Sequence, residues 1–166
     1  AFLAELLGKA KAAALHTAVE TSGAATEKVF APLLPLVDLW LWDVKELDAE
    51  KHFAYTKRQL APILANLRRV NDALAAAPAR KRSIVLRCPM IPGVNDGAKE
   101  IEAIGRLADS LSAVTDVHVE PYIPYGIDKA HRLGLKVYEA PQPPPEYGQR
   151  IVAALTRHTA KPVRLP

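Results

Sequence analysis

The chain has 166 residues with a formal net charge of +4, and it is 49% hydrophobic and 24% charged. This size and composition exclude intrinsic disorder and predict one domain, residues 1–166, with a sizeable core. The single cysteine, Cys88, excludes an internal disulfide framework and a cysteine-rich metal site. The basic run 79–82 is short and lacks interleaved aromatic residues, so nucleic acid is not expected as a partner.

The two ends of the chain give little sign of targeting. No apolar run has the length of a membrane span and no signal peptide is visible, so we expect no membrane association and a cytoplasmic location. The chain begins at Ala1 without an initiator methionine, and a helical pattern starts at once. We therefore expect a segment of a longer protein.

Apolar periodicity and breaker residues predict alternating helices and strands. The predicted helices are residues 2–13, 27–34, a segment capped by Asp48, 59–77, 98–111 and 146–158. The predicted strands are residues 16–20, 37–45, 83–88 and 117–123, with a short terminal strand at 162–165. Residues 89–96 and 124–145 are predicted loops. The alternation indicates an α/β fold with about four parallel strands, either half of a (β/α) barrel or a small doubly wound sheet.

The second predicted strand ends in an acid and a base. Residues 37–45 form an apolar run that closes with Asp43 and Lys45. Residues two apart in a strand share a face, so these two side chains leave the strand together. Trp40 and Trp42 share the other face, and we expect them to pack under helices. The alternative for Asp43 and Lys45 is a salt bridge that only closes the strand.

The other predicted strands also carry polar residues at their carboxyl ends. In a parallel sheet these ends meet at one rim, where α/β proteins bind ligands. The polar residues at the other strand ends are Glu20, Thr21, Ser22, Arg87, Tyr122, Tyr125 and Gly126. Four successive polar strand ends favour a functional site at the rim.

The chemistry of this rim suits a carboxylate ligand. Lys45 and Arg87 can hold a carboxylate, Arg87 through two parallel hydrogen bonds. Glu20, Thr21 and Asp43 offer hard oxygen atoms, which together with a ligand carboxylate can hold a monovalent or divalent cation. The alternative for Glu20 and Arg87 is a structural ion pair across neighbouring strand ends.

The other reactive residues give weaker evidence for a functional site. Cys88 follows Arg87 and faces the opposite way, so a buried and inert thiol is expected. The five histidines show no metal-binding spacing. No serine-hydrolase elbow, P-loop or dinucleotide-binding glycine motif is present.

Four segments together resemble the glycyl-radical-enzyme activating enzymes. They are HTAVETSG at 16–23, DLWLWDVK at 38–45, RCPMIPGVND at 87–96 and IPYG at 123–126. The best-known member of this family activates pyruvate formate-lyase. The resemblance implies a radical S-adenosylmethionine enzyme with a partial (β/α) barrel, of which this chain is the carboxyl-terminal half.

The resemblance implies a role for each rim residue. Glu20, Thr21 and Asp43 match positions that form a monovalent cation site touching the S-adenosylmethionine carboxylate, and Glu20 replaces the commoner aspartate. Lys45 and Arg87 match positions that contact this cofactor.

The resemblance also implies cofactor contacts at Tyr125 and Gly126. Gly126 stands where many members have a histidine that contacts the ribose, so that contact is absent or moved in this chain.

Part of the family pattern is missing. The family binds a [4Fe-4S] cluster through three cysteines, and a G-G-E-P segment holds the amino group of the cofactor; this chain has neither. We expect a fragment that is not catalytic alone. In the complete parent, the cluster would reduce S-adenosylmethionine, and the resulting 5′-deoxyadenosyl radical would abstract hydrogen from a glycine of a partner glycyl radical enzyme.

Two other functions stay open from the residues alone. One is a Schiff-base aldolase that uses Lys45 as its nucleophile. The other is a binding domain without chemistry. The strand at 16–20 lacks the neighbour that it has in the family, so self-association through this sheet edge is also expected.

Overall fold

The computed structural model describes residues 2–77, 82–125, 127–136 and 140–166, which form alternating helices and strands. The helices are α1 (Phe2–Ala12), α2 (Glu27–Phe30), α3 (Ala49–Thr56), α4 (Leu60–Ala75), α5 (Ala98–Asp109), α6 (Ile127–Arg132) and α7 (Tyr147–Leu155). The strands are β1 (Ala18–Thr21), β2 (Leu39–Asp43), β3 (Ser83–Met90), β4 (Val114–Pro121) and β5 (Val163–Arg164).

The five strands form one parallel sheet in the order β1-β2-β3-β4-β5. The predicted α/β fold is confirmed, and the short terminal strand adds a fifth member. Because the spatial order follows the chain order without reversal, the sheet corresponds to part of a (β/α) barrel wall and not to a doubly wound sheet.

The hydrophobic core lies between one face of this sheet and the helices. Trp40 and Trp42 are fully buried on that face, and the ring of Phe30 from α2 lies 5.9 and 5.5 Å from theirs. The prediction that both tryptophans pack under helices is confirmed. Their alternate neighbours, Leu39 and Leu41, are only half-buried on the other face.

That other face, which we call the open face, carries the polar residues of the sheet. The strand register places Glu20 beside Leu41, and Arg87 between Asp43 and His118. Since residues two apart share a face, these rows all project to the same side. The open face is therefore a mixed surface of charged and apolar side chains next to the carboxyl ends of the strands.

Helix α3 shows the capping that its sequence predicts, whereas Thr26, at the start of α2, makes no side-chain cap hydrogen bond. Asp48 accepts hydrogen bonds from the backbone N–H groups of Glu50 and Lys51, at 3.0 and 2.9 Å, and so caps α3 as expected. Lys57 ends α3 in the left-handed conformation, with φ 57°. Of the helices described, not one has the combination of length and apolarity that a membrane crossing requires.

Several strand and helix limits differ from the prediction, and α2 is the most shortened helix, at Glu27–Phe30 instead of 27–34. β2 ends at Asp43, so Lys45 lies just beyond it. β4 begins and ends earlier than predicted, at Val114 and Pro121. Helix α6 falls within a predicted loop; its polar sequence has no buried residue, so it gave no apolar periodicity to detect.

β3 also continues through Pro89, which was predicted to begin a loop. Val44 donates its N–H to the carbonyl of Arg87, so the main-chain groups of Arg87 face β2. Main-chain groups two residues apart in a strand face the same side, so those of Pro89 also face β2. At this height, however, β2 has already ended. No ladder hydrogen bond requires a donor there, and proline is tolerated. The carbonyl of Pro89 instead accepts a hydrogen bond from Asn95 at 2.7 Å.

At the amino end of the sheet, Asp38 joins three elements. Its carboxylate accepts from the Lys11 ammonium at 2.7 Å and from the backbone N–H and hydroxyl of Thr17 at 2.9 and 3.1 Å. Burial alone would raise the pKa of Asp38, but these donors outweigh it and lower the pKa to about 2. Asp38 thus connects the end of α1 with the starts of β1 and β2.

Asp38→Asn should destabilise the chain at neutral pH by about 2 kcal/mol, the value of a pKa lowered from 3.8 to about 2. Because the folded pKa lies below the unfolded one, this stabilisation is complete above about pH 4 and disappears as the pH falls toward 2. Urea unfolding between pH 7 and 2 measures it. Asp128→Asn, at an exposed position on α6, is the control, and equal losses in both variants would contradict the assignment.

The β1 edge should make the isolated chain self-associate. Among the described residues β1 pairs only with β2, and nearby α1 exposes Phe2 and Leu6 by 78% and 50%. Unpaired strand edges and apolar patches both promote association. We expect light scattering after size exclusion to show dimers or larger species.

Ala18→Lys should shift the chain toward monomer because a charge on an edge strand opposes pairing, whereas Ala61→Lys, at an exposed position of α4, should not. A wild-type monomer of 18.1 kDa at high micromolar concentration would show that water satisfies this edge.

Candidate functional site

Arg87 is the centre of the polar residues on the open face. Its Nη1 lies 2.5 Å from Oε2 of Glu20, and its Nε donates to Oε1 of Glu120. The ion pair of Glu20 with Arg87, which was the structural alternative for these two residues, is present. That alternative assumed neighbouring strands, and this part of it was wrong. β1 and β3 are separated by β2, and the guanidinium reaches across it.

The two carboxylates hold Arg87 unequally. Burial alone would lower the pKa of Arg87, but the hydrogen bonds to Glu120 and then Glu20 outweigh it and raise the pKa. Glu120 is 20% exposed and Glu20 is 59% exposed, so solvent screens the Glu20 pair more strongly. Glu120 is therefore the main partner of the permanently charged guanidinium.

Asp43 and Lys45 leave β2 on the same side, as the sequence predicts. The Nζ of Lys45 donates to Oδ2 of Asp43 at 2.8 Å, and the side chains are 41% and 16% exposed respectively. The salt bridge that was the alternative for this pair is thus present. It does not exclude ligand binding, because a partly exposed lysine can exchange one carboxylate for another.

A cavity of about 560 Å³ lies at the carboxyl ends of β2, β3 and β4. Its volume suits a small-molecule ligand. Apolar and aromatic side chains dominate its wall, and Lys45 and Glu46 are its two ionisable side chains of opposite sign. The lining residues are Lys45, Glu46, Tyr55, Thr56, Pro89, Ile91, Gly93, Val94, Asn95 and Tyr122.

The structure does not bring every predicted residue into this arrangement. The hydroxyl of Thr21 accepts a hydrogen bond from the N–H of Gly23 at 3.0 Å and thus shapes its own turn. The side chain of Tyr125 is 85% exposed. Gly126 lies outside the described residues.

Each residue expected to hold a cation has at least one oxygen atom engaged by another group. Oε2 of Glu20 meets Arg87, Oδ2 of Asp43 meets Lys45, and the Thr21 hydroxyl meets a backbone N–H. Across the described ranges, no group of three or more His, Cys, Asp or Glu side chains is arranged to hold a metal ion. A cation at these residues would therefore share their carboxylates with Arg87 and Lys45.

Sequence reasoning missed two residues that organise the rim. Glu120 is the second partner of Arg87, and its signal was its position near the carboxyl end of β4, two residues before Tyr122. Asn95 is 5% exposed and hydrogen-bonds to three main-chain groups. It lies inside the RCPMIPGVND segment, but no spacing rule assigns such a role.

A second polar group on the open face connects β4 to β5. Arg164 lies 2.7 Å from Asp116, and its Nε donates to Nε2 of His118 at 3.1 Å. Burial, followed by the charge of Arg164, lowers the pKa of His118, so this ring is neutral at pH 7. These residues hold the two-residue β5 and do not extend the rim.

Cys88 is fully buried on the core face, opposite to Arg87. Burial raises the pKa of its thiol well above the usual range. The predicted burial of Cys88 is confirmed, and its lack of reactivity stays a prediction.

Comparison with known proteins places the chain among activating enzymes. No protein-family model matches it. It is 38% identical over 138 residues to an isethionate sulfite-lyase activating enzyme of Oleidesulfovibrio alaskensis, an alignment covering 83% of this chain and 40% of that protein. It is 36% identical over 135 residues to the benzylsuccinate synthase activating enzyme of Thauera aromatica (80% and 39% covered). It is 29% identical over 140 residues to the pyruvate formate-lyase-activating enzyme of Staphylococcus epidermidis (81% and 53% covered).

Solved structures agree with this placement. A domain of a pyruvate-formate lyase-activating enzyme from Bacteroides vulgatus is similar with a TM-score of 0.75 at 25% identity, covering 99% of this chain and 90% of that one. A structure of TYW1 with a lysine-pyruvate adduct bound has a TM-score of 0.64 at 13% identity, covering 96% and 46%, which shows a likeness of fold alone. The chain spans 39% to 53% of the length of the three curated relatives.

Neutralising Glu120 should destabilise the chain more than neutralising Glu20. Glu120→Gln leaves the partly buried Arg87 without its main counter-charge, and we expect a loss of about 1–2 kcal/mol. Glu20→Gln removes a largely exposed pair, and we expect about 0.5 kcal/mol or less. Urea unfolding of both variants at pH 7 measures the difference. The reverse order would show that Glu20 holds the guanidinium.

Proposed function

We propose that this chain, which belongs to the glycyl-radical-enzyme activating enzymes, forms part of a longer activating enzyme. In this proposal its strand-end rim holds the carboxylate end of S-adenosylmethionine. The proposed partner is a glycyl radical enzyme of the pyruvate formate-lyase kind. When bound in the longer enzyme, S-adenosylmethionine and a [4Fe-4S] cluster would together supply the radical chemistry that removes a hydrogen atom from a glycine of that partner.

The observation that carries this proposal is the pair of cations at the rim. Asp43 and Arg87 are in register on neighbouring strands, and Lys45 follows Asp43 on the same side. The two glutamates engage Nε and Nη1 of Arg87, which leaves N–H donors on Nη2 for a ligand. A lysine and an arginine at neighbouring strand ends match a carboxylate.

The cavity beside Lys45 supports the same ligand. A molecule with a charged amino-acid end and a flat purine ring needs both ionic and apolar contacts. Lys45 lines the cavity together with Tyr55, Tyr122 and Ile91, which offer aromatic and apolar surface. In this proposal the cavity wall excludes water around the ligand while Lys45 and Arg87 orient its carboxylate.

The proposal includes further contacts. Glu20, Thr21 and Asp43 would hold a monovalent cation against the ligand carboxylate, once Lys45 and Arg87 have turned toward that carboxylate. Tyr125 and Gly126 would lie beside the ribose.

The iron–sulfur cluster does not fit the residues of this chain. Cys88 is the only cysteine and it is buried in the core, so it cannot supply three thiolates. We place the cluster ligands in sequence outside these 166 residues, and we propose that this segment alone is not catalytic.

Lys45→Ala should weaken binding of S-adenosylmethionine to the chain by about 1.5–3 kcal/mol, roughly 10- to 150-fold, because a charge-assisted hydrogen bond is lost. NMR titration with millimolar S-adenosylmethionine measures weak affinity and locates the ligand. Lys11→Ala is the matched control: Lys11 forms a similar pair with Asp38 at the opposite end of the sheet, with Nζ–O distances of 2.7 Å there and 2.8 Å at Lys45.

Equal affinities of wild type and Lys45→Ala would support a purely structural salt bridge. Borohydride trapping with a carbonyl compound separates the Schiff-base alternative. A covalent adduct at Lys45 would favour that alternative, whereas our proposal expects Lys45 to act only as a charged donor.

A further inference from the structure

Three asparagines are buried in this chain although none carries an assigned role. Asn66, Asn71 and Asn95 are 2%, 6% and 5% exposed. A buried amide is costly unless its hydrogen bonds are satisfied, so the partners of each side chain indicate what it holds in place.

Asn95 connects the ends of two strands at the rim. Its Nδ2 donates to the carbonyls of Lys45 and Pro89, both at 2.7 Å. Its Oδ1 accepts the N–H of Ile91, also at 2.7 Å. Lys45, Pro89 and Ile91 all line the rim cavity, so one buried amide fixes the backbone at three places in the cavity wall.

Asn66 holds the loop that follows β1 in a similar way. It projects from α4, and its Nδ2 donates to the carbonyls of Gly23 and Ala25 at 3.0 and 2.8 Å. Gly23 in turn donates its N–H to the hydroxyl of Thr21, one of the rim residues. Asn66 therefore fixes the first strand-end loop against the helix layer.

We propose that Asn66 and Asn95 are positioning residues that set the relative placement of the first three strand ends, and hence the ligand-binding geometry of the rim. Asn95 joins the end of β2 to the loop after β3, and Asn66 anchors the loop after β1. The effect on ligand affinity rests on the proposed function of the rim. The effect on the backbone at Lys45 and Gly23 does not.

The chemistry of these contacts requires an amide. Each Nδ2 supplies two N–H groups to two carbonyls, while Oδ1 still accepts a hydrogen bond, from Ile91 at Asn95 and from Arg69 at Asn66. Aspartate has nearly the same shape but, when ionised, offers no donor and directs negative charge at the carbonyls. Asn→Asp is thus a change of hydrogen bonding at almost constant volume.

Asn71 provides the matched control. It is equally buried and lies on the same helix as Asn66, but its Oδ1 accepts the N–H of Ala113 next to the start of β4, at the opposite end of the sheet. Its Nδ2 donates to Asp72. Asn71→Asp should therefore destabilise the chain without moving the rim.

The test compares N66D, N95D and N71D at a temperature where each chain is fully folded. We expect the backbone amide signals of Lys45 and Ile91 to shift in N95D, and those of Ser22 and Gly23 to shift in N66D. The dissociation constant for S-adenosylmethionine, measured by NMR titration, should rise at least tenfold in both. In N71D, rim signals should stay in place and the constant should change less than twofold at a comparable loss of thermal midpoint.

The outcomes separate the two proposals. If the wild-type chain binds no S-adenosylmethionine, the proposed function fails. The shifts of the backbone amide signals in the variants still test the positioning role. The positioning role would be overturned if folded N95D left the Lys45 signal unchanged and folded N66D left the Gly23 signal unchanged. It would also be overturned if N71D lost as much affinity for S-adenosylmethionine as N95D and N66D.

A measurement on the wild-type chain tests the positioning role even if the variants do not fold. We expect the side-chain NH₂ protons of Asn66 and Asn95 to exchange with solvent at least a hundredfold more slowly than those of an exposed amide. Exchange at the rate of an exposed amide would contradict the contacts and the proposal. Asn95→Ser, which removes both donors of the amide without adding charge, should reproduce the Lys45 shift of N95D.

Discussion

The two-residue alternation of β2 is the constraint on which the rest of this structure depends. Trp40 and Trp42 are fully buried against the helices, and burying each indole contributes on the order of 4 kcal/mol. A shift of one residue in register would expose both rings and turn Asp43 into the core. The position of Asp43 on the open face, and of Lys45 just beyond it, thus follows from the burial of two tryptophans that take no part in the site.

Each cation of the rim has a carboxylate partner and is still partly exposed to a ligand. Lys45 has Asp43 beside it, and Arg87 has Glu20 and Glu120. Partly exposed ion pairs contribute only about 0–1 kcal/mol, so exchanging one carboxylate for that of a ligand costs little. Glu120 differs from Glu20 in its lower exposure, and it keeps Arg87 in place while Glu20 remains easier to displace.

Buried side chains hold the loops that carry these cations, and two of them are neutral amides. Asn66 and Asn95 bind backbone carbonyls and are almost completely buried. An amide can occupy such a position when its hydrogen bonds are made, whereas an ionised side chain would require a paired counter-charge. The two amides themselves therefore add no charge that would compete with Lys45 and Arg87 for a ligand.

The sequence by itself determined the fold class and the direction of the strand ends. Apolar runs such as residues 37–45 identify buried strands, and strict alternation decides which face each side chain takes. The salt bridge between Asp43 and Lys45 follows from that local geometry. The polar helix α6 was not predictable in this way, because a helix without a buried face leaves no periodic signal.

Only the tertiary structure decided which distant side chains meet. Arg87 reaches over β2 to Glu20 and also contacts Glu120, which depends on strand spacing and register that no single segment contains. Asn95 ties Lys45 to Pro89 across positions far apart in the chain. Local sequence encodes the direction of a side chain through backbone periodicity, whereas a contact between strands exists only after the whole sheet has fixed their relative positions.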